Sequence, residues 1–191
     1  MTISRLKTNA VAYDVLIWAT FTEGSSTNFA FSDITDTKNY RLGKLTSSTG
    51  NLVVATAGYA EVFMISGGGA KDTARPGSGG RILRGMFWFD PGTLACTVGA
   101  GAVFGGTNFG ETSTLGSSLS TGAAAGYAGN TQSTGAGSSV AAATAGLTST
   151  FSGSSVTYGA VNTNSGANTG ASPNTDNTSG YAGIVMVRTP R

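Results

Sequence analysis

The chain contains no histidine, so no imidazole can act as general base, nucleophile partner or metal ligand. Proton transfer would have to rest on nine carboxylates, which stand singly along the sequence apart from Asp33 and Asp36. Those two lie in Ser32-Asp-Ile-Thr-Asp-Thr37, which reads as a turn with Asx-type hydrogen bonds rather than as an acid/base pair. Calcium ligation by the same two residues lacks the spacing of acidic side chains that an EF-hand loop requires. Gly67-Gly-Gly-Ala-Lys71 follows an apolar run as a phosphate loop would, and Gly99-Ala-Gly101 follows Thr97-Val98 as a dinucleotide turn would. Both chemistries need a helix to start directly after the glycines, so that its free N–H groups meet the phosphate. Pro76 and further glycines follow the first stretch and more glycines follow the second, so both read as tight turns. Cys96 is the only cysteine, which rules out an internal disulfide; alternation across Leu94-Ala-Cys-Thr-Val98 makes it a small buried hydrophobe on a strand. This inventory holds no catalytic, cofactor-binding or metal-ligating residue, and the expectation is a protein that is not an enzyme.

Contact chemistry is better represented. Met86-Phe-Trp-Phe89 is the densest aromatic patch, and strand alternation puts Phe87 and Phe89 on one face with Met86 and Trp88 on the other. A strand bulky on both faces is sandwiched between layers or meets a partner. Trp18, Phe87, Trp88 and Phe89 are therefore the candidate interface residues. The partner they would meet is another subunit or, through Trp88, a host surface glycan.

These residues need a frame, and composition restricts it. Thirty glycines and 10% charged residues depart from an ordinary soluble domain, which carries roughly 25% charged residues. A surface so poor in charge suits a subunit largely covered by neighbours. No charged residue lies between Glu111 and Asp176, and the basic residues before residue 85 are interleaved with acids, so no phosphate-tracking patch forms and nucleic-acid binding is not expected. No run reaches the roughly 18 to 20 apolar residues of a membrane span, and the N-terminus reads as lacking a signal peptide.

The first 50 residues have ordinary composition and read as an N-terminal arm or attachment segment, or a few edge strands. Residues 51–191 read as a glycine-rich β domain. Its strand signals are Asn51–Val54, Ala60–Ile65, Arg81–Arg84 leading into Met86–Phe89, and Leu94–Val98, punctuated by Gly67–Gly69, Gly79–Gly80 and Pro91-Gly92. From Gly99 to Gly180 the chain is a mixture of small residues with sparse anchors such as Leu115, Phe151 and Tyr158. Its near lack of Lys, Glu and Pro favours order through close backbone approach. Glycines 122, 126, 129, 135 and 137 keep no period of three, which favours short irregular strands and loops over a long polyproline-II bundle. Ile184–Val187 reads as a buried closing strand that returns to the sheet begun near residue 52. The expected fold is all-β, an antiparallel sandwich or jelly-roll-like domain with long glycine-rich loops.

The succession of Glu61-Val-Phe-Met-Ile65, the glycine clusters at 66–70 and 77–80, Asp90-Pro-Gly-Thr-Leu-Ala-Cys-Thr-Val-Gly-Ala-Gly101, Thr114-Leu-Gly-Ser-Ser-Leu119 and Gly180-Tyr-Ala-Gly-Ile-Val-Met-Val-Arg188 resembles the glycine-rich domain of bacteriophage tail fibre and other virion structural proteins. It spans about residues 52 to 190. The resemblance implies a virion component, made in the host cytoplasm, that partners itself, often as a homotrimer, and other virion proteins. A tail-fibre or tail-associated adhesion module is the role it implies. A capsid decoration or cement protein, with residues 1–50 lying on the capsid, is the alternative within the class. An ice- or glycan-binding secreted protein is the alternative outside it, though Thr-x-Thr pairs at 35–37, 112–114 and 148–150 are too scattered for a regular ice-binding face.

Overall fold

The computed structural model describes residues 16–35, 38–71, 77–105, 110–122, 146–161, 167–174 and 178–191. Two strands with continuous apolar runs define its centre. β5 (Gly58–Ile65) and β12 (Ile184–Pro190) lie side by side, with Ile184 opposite Ile65 and Val187 opposite Val62. Apolar residues occur at successive positions in both strands because each strand is covered on both faces. β3 (Tyr40–Leu45) pairs with the other side of β12, β2 (Phe29–Ile34) with β3, and β6 (Ile82–Phe89) with the free side of β5. The result is an antiparallel five-stranded sheet, β2-β3-β12-β5-β6.

A second five-stranded sheet, β1 (Thr20–Phe21), β4 (Thr49–Thr56), β7 (Gly92–Thr97), β8 (Thr114–Leu115) and β9 (Leu119–Ser120) in that order, packs on one face of the first. Ala60, Val62, Met64, Val185 and Val187 meet Leu52, Val54, Cys96, Val98 and Leu115 between the sheets. The opposite face of the first sheet is covered in part by the hairpin β10 (Leu147–Ser149) and β11 (Val156–Tyr158), where Phe151 and Tyr158 pack on Phe63 at centroid distances of 5.6 and 4.7 Å. The protein is thus an all-β antiparallel sandwich with a hairpin as a partial third layer. Three strands come from residues 16–50, and the boundary expected after residue 50 falls within β4. The closing strand joins β3 and β5, while Leu52 belongs to the other sheet.

The glycine-rich stretches are built differently from the loops expected. Gly67, Gly68 and Gly69 donate their N–H groups to the carbonyls of Glu111, Tyr181 and Ser78, which lie on three separate segments. Successive donors thus turn to three different neighbours, which a regular ladder between two strands would not do. Ala102 donates back to Gly68, Gly180 to Ala102, Tyr181 to Ala171, and Gly183 to Gly99. Ser66–Ala70 is buried at the centre, ringed by segments at 77–80, 99–102, 110–112, 169–172 and 180–183. A methyl group placed on Gly67, Gly68, Gly110 or Gly180 would run into a neighbouring carbonyl, so only glycine permits this approach. Of the glycines used for the period argument, those at 126–137 lie outside the described residues.

Candidate functional site

The sheet register brings together residues that are far apart in sequence. Tyr59 on β5 sits opposite Trp88 on β6, and an isolated parallel bridge sets Trp18 beside Tyr59 on the other side. Directly paired residues share a face, so Trp18, Tyr59 and Trp88 form one row across the outer face of the first sheet, beyond the part that the β10–β11 hairpin covers. The backbone holds the row through Ala19 N–H to Tyr59 O at 2.9 Å and Tyr59 N–H to Ile17 O at 2.8 Å. Gly58 makes room for this, since its α-carbon lies against the Trp18–Ala19 peptide where a Cβ would not fit.

The exposed end of the row is Trp88, which is 47% accessible, with Met86 beside it at 43%. The indole is oriented by two contacts. Trp88 Nε1 donates to Asp90 Oδ1 at 3.0 Å, and the Tyr59 ring meets it edge-on at 5.1 Å. An aromatic surface fixed in this way binds with little further loss of side-chain entropy. On the inner side of β6, a groove of about 440 Å³ opens between that strand and the β8–β9 turn, with Phe87, Leu94, Leu119, Ser117 and Ser118 among its walls.

The four sequence-predicted interface residues therefore separate. Trp88 is exposed, Trp18 and Phe87 are half-buried, and Phe89 is buried in the core between the sheets. The alternation expected for Met86–Phe89 holds. Tyr59, the residue that links the two tryptophans, was not singled out, because the register that aligns it is a property of the pairing and leaves no mark in the local pattern.

The other chemistry-bearing residues have structural duties. Asp33 accepts from Arg41 Nη1 at 2.8 Å and from Arg191 Nη1 at 2.5 Å; Asp36 lies outside the described residues. Arg41 also pairs with Glu23, and this hydrogen-bonded guanidinium holds the Glu23 carboxyl below its ordinary range. The amides of Gly67–Gly69 are spent on protein carbonyls, and Lys71 Nζ donates to Asn174 O at 2.8 Å. Cys96 is buried between the sheets, where desolvation pushes its thiol up to about 11. Among the described residues no group of three or more His, Cys, Asp or Glu side chains could hold a metal ion, and no helix is long and apolar enough to cross a membrane.

Arg188 has an unusual setting. Its guanidinium lies 4.1 Å from the Tyr40 ring centroid and 4.3 Å from that of Phe151, and it pairs with Glu61 at 2.7 Å. It also donates to the Phe151 carbonyl at 3.3 Å, so it clamps the β10–β11 hairpin to the sheet.

Comparison of the chain with protein-family models, with curated proteins and with solved structures found no match. The surface must therefore be read from its own geometry.

Proposed function

We propose that the protein is a bacteriophage virion structural protein, a tail-associated adhesion module that assembles with itself and with other virion proteins and acts by presenting surfaces. The observation that carries this reading is the exposed aromatic row ending at Trp88 and Met86, a surface suited to contact rather than to proton or group transfer. A saccharide of the host surface is the ligand it would take, stacked on ordered indole and phenol rings beside the Asp90 carboxylate. The resemblance to glycine-rich virion domains supports the setting. Its two strongest motifs, Pro91–Gly101 and Gly180–Arg188, are the places where β7 and β12 run into the glycine bundle.

The test is negative-stain imaging of phage particles labelled with an antibody to this chain. Label on the tail is expected. Label spread over the head would replace the adhesion role by capsid decoration, and particles without label would overturn the virion reading altogether.

A further inference from the structure

Among the described residues the two five-stranded sheets have four outer edges, and three of them are guarded against further pairing. β1 and β9 have only two residues each, and a register shift interrupts β1. β2 carries Asp33, and the Glu23–Arg41–Asp33–Arg191 cluster stands beside it. Short edges, bulges and charges are the usual devices that keep a sheet from adding a strand. β6 is the least guarded of the four. It is eight residues long, pairs with β5 in unbroken register, contains no proline and carries a single charge, Arg84.

We propose that β6 is a homotypic seam, at which a second copy of this chain pairs antiparallel about a two-fold axis and continues the five-stranded sheet into one of ten. The residues of β6 are self-complementary in a register centred on Met86. On the outer face Met86 meets the partner's Met86, and Arg84 lies opposite the partner's Trp88, diagonal to the partner's Asp90. Arg84 and Asp90 are exposed and make no ion pair with one another or with other described residues. The seam supplies each with its opposite charge, and sets Arg84 over an indole face, twice by symmetry. On the inner face the same register places Phe87 opposite the partner's Gly85, a large residue against a small one, and Phe89 opposite the partner's Leu83, an apolar pair. Phe87 already leans over Gly85 of its own strand, 3.0 Å from where a Cβ would stand, the aromatic cover that edge glycines call for.

The occupant is a second copy because charge and size match across a two-fold operation on this one strand. An isologous interface of this kind gives dimers or assemblies built from dimers. The inference goes beyond the virion reading and takes Met86, Trp88 and Asp90 for the seam instead of for a saccharide: a monomeric chain would end the seam and leave that surface to the saccharide, whereas unlabelled particles would end the virion reading and leave the seam standing.

Sedimentation equilibrium of the full chain tests it. A dimer, or a multiple of two, is expected, and a monomer at high concentration or a trimer would overturn the proposal. Arg84→Asp and Asp90→Arg should each weaken association by about tenfold or more, and the double variant carrying both should recover most of the loss. Equal association by all four proteins would overturn the register. Hydrogen exchange of the wild-type chain serves as a second reading, because the alternate β6 amides that point away from β5, Met86 among them, must gain protection as protein concentration rises; protection independent of concentration would refute the seam.

Discussion

Leu52 in the sandwich and Gly67 in the bundle are both fully enclosed, yet they are enclosed by opposite means. Around Leu52 the sheets stand apart and side chains fill the gap, so stability comes from apolar area removed from water, at about 25 cal/mol per Å². Around Gly67 the gap has closed onto the backbone, and little apolar area is available to bury. Hydrogen bonds between segments hold it, each contributing about 1 kcal/mol net, against the large conformational entropy that glycine loses on ordering. A bundle of this kind is a poor candidate for independent folding. It is held because the ends of β5 and β7 and the starts of β6 and β12 deliver their segments to it already aligned. The sandwich tolerates changes in shape and pays for lost volume, while the bundle has no volume to give.

The sharpest way to break both regions at once is to remove β12. It is the middle strand of the first sheet, and the residues just before it, Gly180–Gly183, are bundle segments. Deleting Ile184–Arg191 should abolish cooperative unfolding in a circular-dichroism melt and open the bundle segments at 99–102 and 169–172 to limited proteolysis. A truncated chain that still melts cooperatively and resists the protease would show that the two regions fold without their shared strand.

Point substitutions separate the two modes. Leu52→Ala should cost about 2–5 kcal/mol through the lost transfer term and the cavity left behind. Gly67→Ala removes nothing, yet its methyl group meets the Ala100 carbonyl, so a loss on the order of 3 kcal/mol is expected from overpacking alone. Gly24→Ala is the control: no atom lies within 4 Å of its Cβ position, and its effect should stay within about 0.5 kcal/mol. Urea denaturation of the three variants gives the ranking, and a neutral Gly67→Ala would mean that the bundle is looser than its hydrogen bonds imply.

A smaller effect, confined to the sandwich, is expected at the Arg188 clamp. Arg188→Met leaves the Glu61 carboxylate without its partner and frees the hairpin from its clamp, at a cost of about 2 kcal/mol for a pair that is largely enclosed. Hydrogen exchange should locate the loss, with Leu147–Tyr158 opening sooner and the amides of Gly67–Gly69 little changed. Equal acceleration in both places would mean that the hairpin and bundle open as one unit.

How much of this was legible in the sequence differs by region for the same physical reason. The apolar runs Val62–Ile65 and Ile184–Val187 announce strands buried on both faces, and alternation at Met86–Phe89 sorts Trp88 from Phe89 without any structure. Side-chain patterning records side-chain packing, so the sandwich could be read. The bundle is packed by backbone, and its residues are glycine, alanine and serine whatever the path they follow. Composition signals close approach but carries no register, which is why a tight turn was expected where Gly67–Gly69 bonds to three segments. The aromatic row falls between these cases. Trp18 and Trp88 stood out as large side chains, but joining them through Tyr59 requires the pairing of β5 with β6 and with the chain at Ile17–Ala19.

Acid should act on the sandwich more than on the bundle, whose segments at 66–70, 77–80, 99–102, 110–112, 169–172 and 180–183 carry one carboxylate, Glu111, and that one exposed. The group to watch is Glu23, whose carboxyl is held below its ordinary range chiefly by the hydrogen-bonded Arg41 guanidinium. A carboxyl depressed in the folded state binds its proton less readily there than in the unfolded chain. Its stabilising contribution is therefore complete above the ordinary carboxylate range, and it fades as the pH falls through that range and below. Glu23→Gln lacks the contribution at every pH. The wild-type chain should be slightly the more stable of the two at neutral pH, by a small margin because the pair faces solvent and salt screens it. The two urea midpoints should draw together as the pH falls through and below the ordinary carboxylate range, to the pH at which Glu23 is protonated in the folded chain as well. A margin that persists unchanged at that pH would mean that Glu23 holds the β2 edge by packing or backbone geometry instead of by charge.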